Sequence, residues 1–375
     1  MTRRARGAAR LCLGAAFLLS AACAPRPSAG PGAPQIAQER VPPGEDALIA
    51  DIVELMLKKL RAQRKEGRPA WRVQHAKAHG CVSGVFTVAA DAPAETRYGI
   101  WREPGKSYPA WLRFSNGSGD GEGSDSERDA HGVAIKLMGV EGEKILDSER
   151  DAKTQDFLLV DAPVFFLRDV REFRDIMLAL DRGSPRSYFL GWNPFRWHLG
   201  EARMALAVLN HRIANPLTTA YYSELPSRLG PGAARYQVRP CAGVDAGPPP
   251  AGAGPNYLRE AMARSLKDAP ACFDFLVQRQ TDPARMPIED ATAAWDEKES
   301  PFVKVARIDV PAQSFDDPAR REFCENLSFT PWHSLPEHRP LGGLQRARLE
   351  AYLSLSGFRH TLNQAPREEP EAPAK

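Results

Sequence analysis

Nowhere in the 375 residues does an uninterrupted apolar run reach the roughly twenty that a helix needs to cross a bilayer core. A membrane-spanning helix is therefore not expected. The six cysteines include no CxxC pair, which leaves zinc ribbons and thioredoxin-like chemistry without support. Charge of one sign is missing too: 50 Lys and Arg face 47 Asp and Glu, a formal net charge of +3. That balance gives no electrostatic ground for binding nucleic acid. No internal repeat is present. What remains, 43% hydrophobic and 26% charged residues, is the composition of a folded globular protein. Its length suits one large domain or two ordinary ones.

The first residues read as an export leader. MTRRARGAAR carries four arginines, LCLGAAFLLSAA (11–22) is a short, mainly apolar run, and small residues precede Cys23. SAAC (20–23) resembles a bacterial lipoprotein cleavage box, with Ser20 where a larger aliphatic residue is usual. Acylation of Cys23 would tether the chain to a membrane in the periplasm; a soluble periplasmic protein is the alternative. Residues 24–44 are Pro/Gly-rich without apolar period, a flexible tether.

Residues 45–67 carry Leu48, Ile52, Leu55, Met56 and Leu60 at helical spacing. Strand composition follows at 84–90, 110–116, 131–140, 154–160, 235–241, 272–280 and 302–310, with helical stretches at 170–182, 199–213, 256–267 and 344–359. The pattern predicts an α+β fold, a closed antiparallel β-barrel with helices packed outside, over residues 45–360. Residues 361–375 are expected to be a disordered tail. The four cysteines beyond Cys23 are Cys81, Cys241, Cys272 and Cys324. They allow three disulfide connectivities, or free buried thiols, and nothing in the sequence selects among these.

WRVQHAKAHGCVSG (71–84) sets His75 and His79 four residues apart. On a helix the two could share a metal ion. The β-branched, glycine-containing run that follows reads as a strand, where residues four apart are separated by roughly 13 Å, so a shared ion is not expected. GDGEGSDSERDAHG (119–132) resembles a calcium loop, but Asp125 stands where the sharp turn needs glycine; a solvated turn is the better reading.

RVQHAKAHGCVSGVFTV (72–88), RFSNGSGDGEGSDSERDAHGVAIKL (113–137), APVFFLRDVREF (162–173), LSFTPWHSLPEHRP (327–340) and ARLEAY (347–352) together resemble the haem catalase family in order and spacing. The likeness extends over about 70–360 and suggests a small, divergent, exported branch without the longer ends of larger catalases. It implies the catalase-like barrel, haem b (heme b, iron protoporphyrin) as cofactor and a peroxide as substrate. By the same resemblance Tyr352 is the iron ligand. Arg348, one helical turn before it, eases phenolate formation. His75 is the distal acid–base group and Ser115 orients its ring. Arg72, Arg113 and Arg359 pair with haem propionates, and Phe173 packs near the porphyrin. His79 has no such counterpart and reads as structural.

The pattern departs at Asp161, which an ungapped match places where the family carries a distal asparagine. An ionised carboxylate accepts hydrogen bonds but cannot donate one, a loss on the order of a hundredfold in rate for one polarising donor. Burial could keep Asp161 protonated and preserve donation. Gln74 stands in place of the usual valine before the distal histidine. An enzyme acting on hydrogen peroxide or organic hydroperoxides is expected. A weakly active or non-catalytic haem binder on the same fold is the alternative, and the sequence carries no signal for the number of subunits.

Overall fold

Strand alternation decides which side chains face the core and which face the site. The computed structural model describes residues 34–64, 69–241, 247–365, 370 and 372. The leader and residues 24–33 of the tether lie outside them.

In chain order the elements are α1 (Glu45–Gln63), β1 (Ala78–Val88), β2 (Ser107–Asn116), β3 (His131–Met138), β4 (Thr154–Val160), α2 (Val170–Asp181), α3 (Arg186–Phe189), α4 (Leu199–Leu209), β5 (Tyr221–Tyr222), β6 (Ser227–Leu229), β7 (Gly232–Pro240), α5 (Tyr257–Asp268), β8 (Ala271–Arg279), β9 (Val303–Val310), α6 (Pro318–Asn326) and α7 (Gly343–Asn363). The strands pair antiparallel in the order β5-β4-β3-β2-β1-β9-β8-β7, and β5 pairs with β7 to close the ring. Eight strands thus form the barrel, and β6 folds back on β7 as a hairpin. The α+β barrel read from the sequence is the fold found.

Inside the barrel lie Val82, Phe86 and Val88 of β1, Tyr108, Ala110, Leu112 and Phe114 of β2, and Val133, Ile135 and Leu137 of β3. These are alternate residues on each strand, as a pleated sheet requires. Trp101, Phe157, Tyr236 and Phe275 fill the middle, with ring centroids 4.9–6.0 Å apart in tilted and edge-on pairs. Burying an aromatic or aliphatic side chain of this size contributes roughly 1.5–3 kcal/mol.

The alternate residues of β2, Arg113 and Ser115, point outward and are nonetheless buried. A second apolar layer accounts for this. Ile49, Ile52, Met56 and Leu60 of α1 pack with Leu344, Ala347 and Ala351 of α7 and with Val170 and Met177 of α2. The amphipathic spacing seen in 45–60 is the face that α1 turns to this layer.

Three expectations are corrected. Residues 34–44, the described end of the tether stretch, are held to the body: Ala37 N donates to Gln280 Oε1 at 2.8 Å and Arg40 N to Glu289 Oε1 at 2.8 Å, while Glu39 pairs with Arg339 and Arg346. Residues 361–363 continue α7, and Asn363 exchanges hydrogen bonds with the backbone of Ala70 at 2.7 and 3.0 Å. The 119–132 loop is not simply solvated, because its Asp125 is buried and pairs with Lys77 at 2.7 Å. The cysteines form Cys81–Cys324 and Cys241–Cys272, one of the three possible connectivities.

Candidate active site

Between the outer face of β2–β4 and helices α1 and α7 lies a cavity. Arg72, His75, Arg113, Ser115, Phe173, Arg348, Tyr352 and Arg359 all line it. Eight of the nine residues singled out in the sequence therefore converge. Apolar groups from α1, α7 and the sheet, Leu60, Ala134, Leu158 and Leu355 among them, make up much of the remaining wall.

His75 stands just before β1 with φ of 55°, the left-handed region. A side chain there costs on the order of 1–3 kcal/mol of strain and persists only where its surroundings over-determine it. Those surroundings are visible. His75 N donates to Gly117 O at 3.0 Å and Arg113 Nη2 donates to His75 O at 2.8 Å. Its Nδ1 lies 3.1 Å from Ser115 Oγ. A Cβ on Gly132 would come within 2.7 Å of the ring, so only glycine leaves room for the imidazole.

Burial, with the positive charges of Arg113 and Arg348, pushes the His75 pKa down to about 4, against the opposing pull of Asp161. The imidazole is thus neutral at pH 7. With Nδ1 donating to Ser115 Oγ, Nε2 keeps a lone pair for a proton.

On the α7 wall, Arg348 and Tyr352 stand one turn apart, with the guanidinium carbon 5.8 Å from the phenol ring centroid. The helical spacing read from RLEAY places them side by side as expected. Glu224, which sequence reasoning did not single out, also lines this cavity. It is buried, adopts φ of 55°, and burial pushes its carboxyl up to about 8 although Arg348 draws it down. It lies in the short β5–β6 connection, where no local pattern announces a buried acid.

Three guanidiniums gather at one end. Arg72 Nη1 donates to Glu325 Oε2 at 2.8 Å and Arg359 Nη1 to Glu325 Oε1 at 3.0 Å. Arg113 Nε is buried without a hydrogen-bond partner, and burial together with Arg72 and Arg359 holds its pKa well below the usual arginine range. Three positive charges thus share one carboxylate. Glu325, on α6 beside the Cys81–Cys324 bridge, was also missed, because 253 residues separate it from Arg72.

Asp161 is the exception. It was expected in the distal pocket, yet it does not line the cavity. His131 N donates to one oxygen at 2.9 Å, His131 Nδ1 lies 2.9 Å from the other, and His211 Nδ1 is 3.3 Å away. Burial raises its pKa, but the hydrogen bonds from His131 and His211 outweigh that and hold it below the ordinary carboxylate value. Its histidine partners thus favour the ionised carboxylate over a protonated, donating one. Gln74 is exposed at the cavity rim, and His79, buried on β1, has Nε2 2.9 Å from Asn116 Oδ1, a structural histidine as expected. Phe173 on α2 packs edge-on against Phe165, ring centroids 6.1 Å apart.

Residues 34–197 match the family model "Catalase". Over those residues the chain is similar to the catalase family. It is 25% identical over 342 residues to a catalase of the Onchocerca volvulus endobacterium, covering 85% of this chain and 67% of that one. Catalase A of Pseudomonas putida is 24% identical over 343 residues, covering 85% and 68%. A Helicobacter pylori catalase is 35% identical over 121 residues, covering 32% of this chain and 21% of that one. Among solved structures, catalase A from Saccharomyces cerevisiae superposes with a TM-score of 0.62 at 18% identity, over 90% of this chain and 70% of the other. A fungal catalase gives 0.57 at 18% identity, over 81% and 63%. The chain thus spans about two thirds of the length of these longer matches. The helix bearing Tyr352 lies beyond the residues that the family model matches.

Proposed function

We propose that this chain is an exported haem oxidoreductase that decomposes hydrogen peroxide or reduces organic hydroperoxides. The observation that carries this reading is one cavity with a neutral, pinned imidazole, His75, on the sheet side and the Arg348–Tyr352 pair on the helix side. The relatives named catalases support a peroxide as the substrate.

The residues present fit a porphyrin. An apolar slot receives its faces, and three arginines with a single carboxylate leave two positive charges over for two propionates. Tyr352 would hold the iron, as in the tyrosine ligation of catalases. Arg72, Arg113 and Arg359 would hold the propionates as guanidinium forks. Bound haem would supply the redox chemistry at its iron. The chain's own contribution is proton handling: His75 Nε2 takes a proton from one peroxide oxygen and returns it to the other, while Ser115 keeps the ring aimed.

A weakly active haem binder is the second reading. It is favoured by Asp161, ionised and turned toward His131 and His211, which supplies the cavity with no hydrogen-bond donor. Export, and a membrane anchor through acylated Cys23, rest on the leader sequence. Reconstitution with hemin tests the whole reading. A Soret band that shifts or is lost in Tyr352→Phe is expected, with oxygen release abolished in His75→Ala while the band stays. A chain that remains colourless with hemin sinks the haem reading; a coloured chain inert toward both classes of peroxide selects the binder.

A further inference from the structure

The surface between Leu180 and Leu209 is unlike the rest of the molecule. Of the eleven large apolar side chains that are exposed among the described residues, eight come from this stretch. Trp192 is 97% exposed and Phe195 is 96% exposed. Leu190, Leu199, Leu206 and Leu209 add exposed aliphatic surface, the last three on α4. At 100° per residue, Leu199 and Leu206 share one face of that helix and Leu209 borders it.

These side chains are held out by the backbone. His198 N donates to Phe189 O at 3.0 Å, and Trp197 Nε1 donates to Gly191 O at 2.7 Å, which closes the 189–198 loop at its base. Asn193 Oδ1 accepts from Phe195 N at 3.0 Å and so shapes the tip. Tyr188 stacks on His198, with centroids 4.5 Å apart and planes 16° from parallel. A tryptophan and a phenylalanine thus project from a braced loop into solvent, where a soluble surface has no use for them.

Within the 180–209 stretch the charge left over is positive, although Asp169, Glu172 and Asp175, in and just before α2, face Tyr188 at the base of the loop. Arg182, Arg186 and Arg203 are exposed and have no carboxylate partner among the described residues. The two acids of the stretch are engaged: Asp181 pairs with Lys58 at 2.7 Å, and Glu201 lies 3.9 Å from both Arg168 and His198.

We infer that the 189–198 loop and the outer face of α4 dock onto an anionic lipid bilayer, with Trp192 and Phe195 seated at the headgroup level and the arginines facing lipid phosphates. Aromatic rings with apolar bodies favour that depth, and basic side chains beside them add electrostatic attraction that salt weakens. A second copy of the chain is the poorer occupant. A self-complementary two-fold contact through this patch would bring like guanidiniums together, and a projecting tip offers no matching hollow. The surface acts independently of any lipid on Cys23.

The test uses the full chain carrying Cys23→Ser, so that no acyl group contributes. Vesicles of phosphatidylcholine with half phosphatidylglycerol, or phosphatidylcholine alone, also carry a brominated lipid that quenches tryptophan in the bilayer. The expected result is quenching on the anionic vesicles that is at least tenfold weaker on the neutral ones or in 0.5 M salt (roughly 3 Å screening length at 1 M). It is reduced in Trp192→Phe, and both quenching and sedimentation with vesicles fall at least tenfold in the doubly substituted Trp192→Ser, Phe195→Ser chain. Both positions are almost fully exposed, so the fold survives these changes. Quenching and sedimentation that survive undiminished in the Trp192→Ser, Phe195→Ser chain overturn the proposal, because another part of the molecule would then hold the bilayer. A vesicle-inert chain whose dimer dissociates on the double substitution also overturns it.

Discussion

The Nδ1 of His75 and the Oγ of Ser115 stand 3.1 Å apart, the histidine in a left-handed kink ahead of the first strand and the serine on the outer face of the second. The backbone brings them together: β1 and β2 pair so that Ala78 faces Ser115, and the kink swings the preceding residues across that partner. Removing the hydroxyl should leave the cavity intact and free the ring. Ser115→Ala is therefore expected to retain the Soret band of the hemin-loaded chain while losing up to about a hundredfold in peroxide turnover, the scale of a misplaced catalytic group. Unchanged oxygen release would show that the ring is held by packing alone.

The kink itself can be measured. At φ of 55° alanine keeps the backbone strain and glycine relieves it. His75→Gly should therefore be more stable than His75→Ala by about 1 kcal/mol, although both abolish turnover. Urea unfolding of the hemin-free variants reads the difference. Equal stabilities would mean that this conformation carries no strain.

Much of this was legible in the chain. The β-branched runs marked seven strands, six of them within three residues of their observed limits, whereas β1 begins six residues earlier than read, and RLEAY gave a helix with Arg348 and Tyr352 on one face. What escaped was small or distant. β5 and β6 have two and three residues, too few for alternation to register. Glu224 sits between them, and Glu325 meets Arg72 only through the tertiary fold. Asp161 lies outside the cavity for a definite reason: His131 and His211, which hold its carboxylate, are contacts that a linear pattern does not display.

Glu224 gives the clearest pH signature. Its carboxyl is raised from the ordinary 4.5 to about 8 in the folded chain. Between those values the folded state holds a proton that the unfolded state has released, so stability falls as pH rises through the window. The contribution is fully present below about pH 4.5 and is lost as pH passes 8. Glu224→Gln cannot ionise. The gap in melting temperature between hemin-free parent and variant should widen in the variant's favour from pH 5 to pH 8. A constant gap would show that the carboxyl titrates normally.

Gly132 tests how tightly the imidazole is packed. A Cβ there would lie 2.7 Å from His75 Cε1 and 2.8 Å from Nδ1, well inside contact distance, while its backbone already adopts an ordinary strand conformation. Gly132→Ala should therefore fold and take up hemin but displace the ring from Ser115, with a turnover loss comparable to that of Ser115→Ala. The two changes act on one contact, so the double variant should lose little beyond either single one. Additive losses would mean that glycine and serine act on the histidine separately.

Glu325 is the carboxylate that Arg72 and Arg359 share, with Arg113 close enough to feel all three. Neutralising it leaves buried guanidiniums facing one another, and breaking one partner out of a buried ion group costs on the order of 3 kcal/mol. Glu325→Gln should lower the stability of the hemin-free chain by about that amount. If propionates occupy the same arginines, hemin replaces the missing charge, and the loss should shrink by more than half in the loaded chain. Parallel urea titrations with and without hemin make the comparison. An equal loss in both states would place the propionates elsewhere, and the assignment of Arg72 and Arg359 would fail with it.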